Sequence, residues 1–407
     1  MKEYTTEYIR NIALVSHGSG GKTMLVEAFL HSTGGSTRLG KIDDGTTVSD
    51  FEDEEIRRKL SLSTSVIPVE YKNHKINFLD TPGYTDFVGE VISALRVVDG
   101  VMILIDSVAG MEVGTEIAWN YCDTFKLPRI VIINKMDRDN ADYKKALSSV
   151  QEFSPVRLIP VQLPWGEKAE FKGVIDLISF KAYSNEGKSA EEIPAELSKA
   201  AEDARRQLIE AAAEGDDSLM ELYFENGALS NEELIRGLKE VVKAGTFIPV
   251  FVCAGAHEKG ILPLLDSIIT LMPSPLEMPE VIAEGKSGEE SLTSSDSGPL
   301  AIYVWKTTAD PFVGKLTYFR VYTGVISSNS QVWNSTKNAL ERVGQLYLIR
   351  GKNQEAIPQV KAGDIGAVAK LNVTGTGDTL STREKPVKLA PMVFPNPIYS
   401  GSVSPKT

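Results

Sequence analysis

The feature that most narrows what this chain can become is an eight-residue turn between a predicted strand and a predicted helix. Ile12-Ala13-Leu14-Val15 is a short apolar run that reads as a buried strand, and Met24 to Leu30 follows with amphipathic helical spacing. Between them stand Ser16, His17, Gly18, Ser19, Gly20, Gly21, Lys22 and Thr23. Except at Ser16, where glycine is usual, this is the phosphate-loop pattern that ends in Gly-Lys-Ser/Thr. Glycines let the backbone curl with its N–H groups pointing inward, and the helix N-terminus adds partial positive charge. His17 to Thr23 are therefore the expected phosphate cradle, with Lys22 bridging the β and γ phosphates and the Thr23 hydroxyl on Mg²⁺. A glycine-rich turn with a chance Lys-Thr is the bland alternative, and the strand and helix on either side weigh against it. The loop alone does not choose between ATP and GTP.

From residue 9 to about 150, short β-rich runs alternate with longer amphipathic stretches, as in βαβ units around a parallel sheet. Ile76 to Leu79, Val101 to Ile105 and Ile130 to Ile133 read as further buried strands. Ligands of open α/β sheets sit beyond the carboxyl ends of such strands. At one end stands Asp80-Thr81-Pro82-Gly83. Asp80 is expected to hold Mg²⁺ directly or through water, and the Gly83 N–H to bond the γ-phosphate. The same four residues also make a good turn by themselves. Between the two motifs, residues 38–65 suit a mobile segment that supplies one hydroxyl to Mg²⁺, with Ser61 the candidate; an ordinary loop is the alternative.

Asn134-Lys135-Met136-Asp137 closes the strand ending at Ile133. A carboxylate accepts hydrogen bonds from the N1–H and exocyclic amine of guanine, and adenine offers no matching donors. Asp137 is thus the expected base selector, Asn134 the brace of loop and base, and the Lys135 stem a cover for the ring. Four residues alone make a weak motif; the order after the phosphate loop and Asp-x-x-Gly strengthens it. A fifth loop, Cys253-Ala254-Gly255 after the strand at Val250 to Val252, is expected to offer backbone N–H groups to the guanine carbonyl.

Residues 1–154 and 246–280 read as the two parts of this α/β domain, with 155–245 inserted between them. The insertion starts β-like and turns Glu/Ala-rich and helical, with a capping box at Ser230-Asn231-Glu232-Glu233. Residues 281–298 read as a surface linker, 299–395 as an antiparallel β domain with glycine turns, and 396–407 as the start of another domain. The net charge of −12 excludes a generally basic, nucleic-acid-coating surface. Cys122 and Cys253, far apart in apolar runs, build neither a disulfide framework nor a metal site. No signal-peptide pattern opens the chain and no apolar run approaches the roughly 20 residues of a membrane span, so the cytoplasm is the expected compartment and no membrane partner is expected.

On Asp80 to Phe87, Asn134 to Asp137, the insertion opening at Phe171 to Asp176, Gly260 to Asp266 and Met272 to Pro275, the chain resembles elongation factor G, in particular its divergent elongation-factor-G-like relatives. The resemblance spans essentially all 407 residues, and the insertion is its most diagnostic part. It implies a P-loop G domain with an α+β insertion, then an all-β barrel of the translation-factor domain II type, with three further domains of which Ser402 to Thr407 resemble the opening of the first. It also implies a ribosome-stimulated GTPase of the translocation step, cycling GTP and GDP with Mg²⁺ and acting as a monomer. Its transient partners would be ribosomal RNA and stalk proteins; the acidic helical insertion is a candidate stalk contact, with a plain solvated helix face the open alternative.

Three departures matter. Tyr84 stands where the family's catalytic histidine follows Asp-Thr-Pro-Gly, so Tyr84 with Gly83 and Lys22 would be the catalytic set, and a phenol of pKa near 10 is a poor general base. Ser19 replaces the phosphate-loop aspartate, and Lys59-Leu60-Ser61 replaces Gly-Ile-Thr. Slow hydrolysis, a non-hydrolysing switch module and a ribosome-protection factor all remain open readings; the insertion weighs against the last, and Asp137 against an ATPase or kinase. Lys306, Arg320, Arg342 and Arg350 are candidates to touch ribosomal RNA, with plain solvated surface charge the favoured alternative.

Overall fold

Each β-rich run that ends in a motif becomes a strand of one sheet. The computed structural model describes residues 1–184, 189–310, 313–397 and 399–405. Lys406 and Thr407, the end of the stretch expected to open another domain, lie outside the described residues. The first strands are β1 (Ile9–Val15), β2 (Ser65–Tyr71), β3 (His74–Asp80), β4 (Gly100–Asp106), β5 (Arg129–Asn134) and β6 (Arg157–Pro160). Between them run α1 (Lys22–Ser32), α2 (Asp53–Arg58), α3 (Val88–Leu95), α4 (Val113–Thr124) and α5 (Tyr143–Phe153).

The insertion follows, with strands β7 (Gln162–Trp165), β8 (Gly173–Asp176), β9 (Lys181–Ser184) and β10 (Ala190–Glu191) and helices α6 (Ala195–Ala213), α7 (Asp217–Asn226) and α8 (Asn231–Ala244). Ser230 and Glu233 form the expected reciprocal cap, Ser230 N–H donating to Glu233 Oε2 at 2.8 Å and Glu233 N–H to Ser230 Oγ at 3.3 Å. Leu234, Leu238, Val241 and Val242 are buried beneath it. The chain then returns through β11 (Phe247–Val252) and α9 (Ile261–Leu271).

The main sheet has the order β2-β3-β1-β4-β5-β11-β6, parallel except for β2. Ile12 to Val15, Val101 to Ile105 and Ile130 to Ile133 are all buried, as strands covered on both faces must be. Arg157–Pro160 fall inside the stretch read as the insertion, yet they pair in parallel with Phe247 to Val250 as the edge strand of the main sheet. Leu158 and Ile159 bury themselves there, so the inserted sheet begins only at Gln162.

The stretch 281–298, read as a linker, contains a hairpin of β12 (Val281–Gly285) and β13 (Gly288–Leu292). Its two inward residues, Ala283 and Leu292, are buried, and β12 also pairs with Lys388–Leu389. Gly288 turns the hairpin at φ 125°, a backbone open to glycine. Val281, Ile282 and Ala283 run together in β12 and Leu292 stands alone in β13, so neither strand shows the period-two alternation that marks a strand in sequence. Beyond it, β14 (Ala301–Asp310) and β15 (Gly314–Thr323) are the middle strands of an eight-stranded antiparallel sheet, with Ile302, Val304, Phe319, Val321, Leu346 and Val368 in its own core.

The β domain is joined to the sheet domain by buried polar contacts. Arg320 donates to Asp99 Oδ1 at 2.6 Å and to the Val97 carbonyl at 2.9 Å, while Asn11 donates to Asp99 Oδ2 at 2.8 Å and to the Gly363 carbonyl at 2.7 Å. Lys306 Nζ reaches the Thr64 carbonyl at 2.8 Å, Glu90 at 3.0 Å and the Ser63 hydroxyl. Arg320 and Lys306 are thus neither RNA contacts nor solvated surface charges: 4% and 7% exposed, they are committed to the other domain. Arg350 donates to the Gly35 carbonyl at 3.3 Å, and Arg342 stays exposed. Removing one partner of a buried pair strands the other charge at a cost of about 3–5 kcal/mol. Arg320→Ala is therefore expected to lower stability in denaturant unfolding by about that amount, with the Arg320→Met/Asp99→Asn double variant regaining at least about half of it. A single variant within about 1 kcal/mol of wild type would show that the pair does not hold the domains.

Candidate functional site

The strand register brings the motif loops together. Leu14 lies beside Asp80, Asp106 beside Asn134 and Val252 beside Ile133, so β1, β3, β4, β5 and β11 all end at one edge of the sheet. A cleft of about 680 Å³ opens there, within the usual range for small-molecule sites. Its lining includes Gly18, Lys22, Thr23, Ser61, Gly83 and Tyr84 at one end and Asn134, Lys135 and Asp137 at the other.

Several loops pass so close that only glycine fits. A Cβ on Gly83 would stand 2.6 Å from both the Gly18 Cα and Lys22 Nζ, and one on Gly21, whose φ is 91°, would stand 2.6 Å from Asn134 Nδ2. The Tyr84 ring lies over Gly18, close enough that a Cβ there would sit 2.9 Å from Cε2. Lys22 is buried and donates to Ser16 Oγ at 3.0 Å; its burial lowers the ammonium pKa to about 8.

Thr23 Oγ1 donates to Asp80 Oδ2 at 2.8 Å and lies 3.2 Å from Ser61 Oγ, so the three expected metal partners do meet. The other Asp80 oxygen and both oxygens of Asp50 are buried without a hydrogen-bond partner. Burial is the main reason both carboxyls are pushed up to about 6; the neighbouring Asp80 charge adds to it at Asp50, while Lys22 opposes it at Asp80. Asp50 has no signal in the sequence, where Asp43 and Asp44 stand out more. Among the described residues no three His, Cys, Asp or Glu side chains are grouped to hold a metal. Two carboxylates and two hydroxyls instead form a hard-oxygen set that suits Mg²⁺ shared with phosphate oxygens and water.

Asn134 is the hub of the far end. Its Nδ2 donates to the Gly20 carbonyl at 3.1 Å, and its Oδ1 accepts from Lys135 N–H at 2.8 Å and Gly255 N–H at 3.1 Å. Lys135 pairs with Asp106 at 2.7 Å and also reaches the Ser19 carbonyl. Two expectations are corrected here. Cys253, Ala254 and Gly255 donate their N–H groups to Ile133 O, Lys259 O and Asn134 Oδ1, so they have none to spare for a base; Ala256 and His257 line the cleft instead. His17 turns its N–H to Thr115 Oγ1 at 2.9 Å, away from the phosphate cradle. His257 also touches the Asp137 carboxylate, a contact between two loops about 120 residues apart that no local pattern announces.

Residues 7–274 match the family of the elongation factor Tu GTP binding domain, and residues 299–383 match elongation factor G domain 2. The chain belongs to the elongation factor Tu GTP-binding domain family. It is 38% identical to an elongation factor G of Granulibacter bethesdensis over 100% of its own length and 60% of that protein's. A crystal structure of a Thermus thermophilus protein matches 93% of the chain and 55% of that protein with a TM-score of 0.82 at 32% identity. The chain therefore spans a little over half the length of these relatives. Within this family of GTP-binding domains, the buried carboxylates facing Lys22 are the feature on which ligand binding should act most. Asp50→Asn removes a buried like charge, so it is expected to raise the thermal midpoint without Mg²⁺ by about 2–4 °C and to shrink the further rise given by Mg²⁺ with GDP. Differential scanning fluorimetry reads both; an unchanged response to Mg²⁺ and GDP would remove Asp50 from the site.

Proposed function

We propose that the cleft binds GTP or GDP with Mg²⁺ and that the chain hydrolyses GTP as the front part of a ribosome-acting elongation factor. The observation that carries this is the meeting of Lys22, Thr23, Ser61, Asp80 and Gly83 at one end of a cleft whose other end presents Asn134 and Asp137. The phosphate loop from Gly18 to Thr23 would cradle the phosphates, and Lys22, already desolvated, would bridge β and γ. Thr23, Ser61 and Asp80 would hold Mg²⁺, with Asp50 beside them. When bound, that ion neutralises charge on the β and γ oxygens. Gly83 N–H would sense the γ-phosphate, and Tyr84 would place the attacking water.

Such catalysis is mostly positioning and electrostatics, so a Tyr84 that places water without accepting its proton suits slow turnover until a partner completes the site. The half-exposed Tyr84 ring also favours a second reading, in which GTP orders residues 38–65 and 83–90 for docking with little hydrolysis. The ribosome, through its RNA and stalk proteins, is the proposed partner, met by a monomer in the cytoplasm; no helix among the described residues is long and apolar enough to cross a membrane.

Phosphate release from GTP, measured with and without ribosomes, tests the reading. Slow turnover alone, stimulated by ribosomes, is expected, with Lys22→Ala losing at least about a hundredfold in nucleotide affinity and Tyr84→His speeding turnover. GTP recovered intact after long incubation, with no phosphate in either condition, would contradict hydrolysis and leave the switch reading.

A further inference from the structure

Two buried carboxylates pin the segment that closes over the phosphate end of the cleft. Glu27 of α1 accepts the Val48 N–H at 2.5 Å and the Gly40 N–H at 3.2 Å, fixing its start. Glu55 of α2 accepts the Leu62 N–H at 3.0 Å and the Ser63 N–H at 3.2 Å, fixing its end. Between these anchors Lys59 ends α2 at φ 56°, ψ 41°, a left-handed conformation that glycine adopts freely and a residue with a Cβ only at a cost.

Lys59 lines the cleft together with Asp43, Lys22, Ser61, Gly83 and Tyr84. Only Leu60 separates it from Ser61, so their Cα atoms are at most about 7.6 Å apart, and Ser61 itself touches Thr23. Lys59 therefore belongs to the phosphate end and not to the end with Asp137. The ammonium is held by Asp43 at 2.9 Å, in a pair whose side chains are 54% and 85% exposed. A pair so wet contributes little and is easily exchanged for a more highly charged anion. Among the other cations lining the cleft, Lys22 is bonded to Ser16 and Lys135 to Asp106, Arg138 stands 3.8 Å from Asp106 on the side of the base-end loop, and Lys41 lies outside the stretch between α2 and Ser61.

We infer that Lys59 is a substrate-contacting residue that leaves Asp43 for the γ-phosphate, so that it favours a nucleoside triphosphate over the diphosphate. The inference rests on the nucleotide reading of the cleft. It gives this chain a cation at a position where the family pattern it resembles carries glycine, in the same site where Tyr84 replaces a histidine.

Calorimetric titration with GTP and with GDP, both with Mg²⁺, tests it on wild type, Lys59→Gly, Lys59→Arg and Asp43→Asn. Lys59→Gly suits the backbone, so its thermal midpoint is expected to stay within about 2 °C of wild type. Its preference for GTP over GDP is expected to fall about five- to tenfold, with GDP affinity unchanged. Lys59→Arg is expected to keep the preference, and Asp43→Asn to raise it about twofold by freeing the lysine. An unchanged GTP:GDP ratio in Lys59→Gly, or an equal loss for both nucleotides, overturns the role of Lys59 while leaving the nucleotide site standing. A wild-type protein that binds neither nucleotide overturns the site and the inference together.

Discussion

The parallel alignment of β1 between β3 and β4 is the constraint on which the cleft depends. Pairing Leu14 with Asp80 sets the phosphate loop and the Asp80 carboxylate side by side, and pairing Asp106 with Asn134 carries the base-end loop to the same edge. A one-residue slip would turn every buried side chain of a strand to its other face, so the packing that stabilises the sheet also holds this register. Order β3-β1-β4 reverses the direction of chain progress at β1, and the crevice at such a reversal is where open α/β sheets hold ligands.

That register gathers charges that are costly in the absence of a ligand. Lys22, Asp50 and Asp80 are all at most 4% exposed, and burial disfavours the charged form of each. The Lys22 ammonium is drawn down and both carboxyls are drawn up, so the site is poised to gain from an anionic ligand at the lysine and a cation at the carboxylates. Stability withheld here is the usual companion of a binding site. The β domain bears on the same region, because Lys306 grips Ser63, Thr64 and Glu90, just past the segment carrying Ser61 and in the helix that follows Tyr84.

What is legible in the sequence is what is contiguous. The phosphate loop, Asp80 to Gly83 and Asn134 to Asp137 each declare themselves within a few residues, and the strands before them carry the apolar runs that a sheet buried on both faces requires. Ser61 is singled out by its position in the chain and does reach Thr23. What stays hidden depends on tertiary partners. Asp50 matters because folding sets it beside Asp80 and Lys22, and nothing within its own segment marks it out. Lys306 and Arg320 read as surface charges because their partners lie more than 200 residues away. The fifth loop misleads because its backbone donors look free until the fold shows which of them are already bonded.

In the proposed function the cleft reads a guanine base through the Asp137 carboxylate while Lys22 and its neighbours hold the phosphates. Calorimetric titration of wild type and Asp137→Asn with GDP, xanthosine diphosphate and ADP measures it most directly. Wild type is expected to prefer GDP over ADP by about a hundredfold or more, and the variant to lose that preference and turn toward the xanthine nucleotide, whose extra carbonyl suits an amide donor. Equal affinity of wild type for GDP and ADP, or a variant that binds GDP as wild type does, would contradict it.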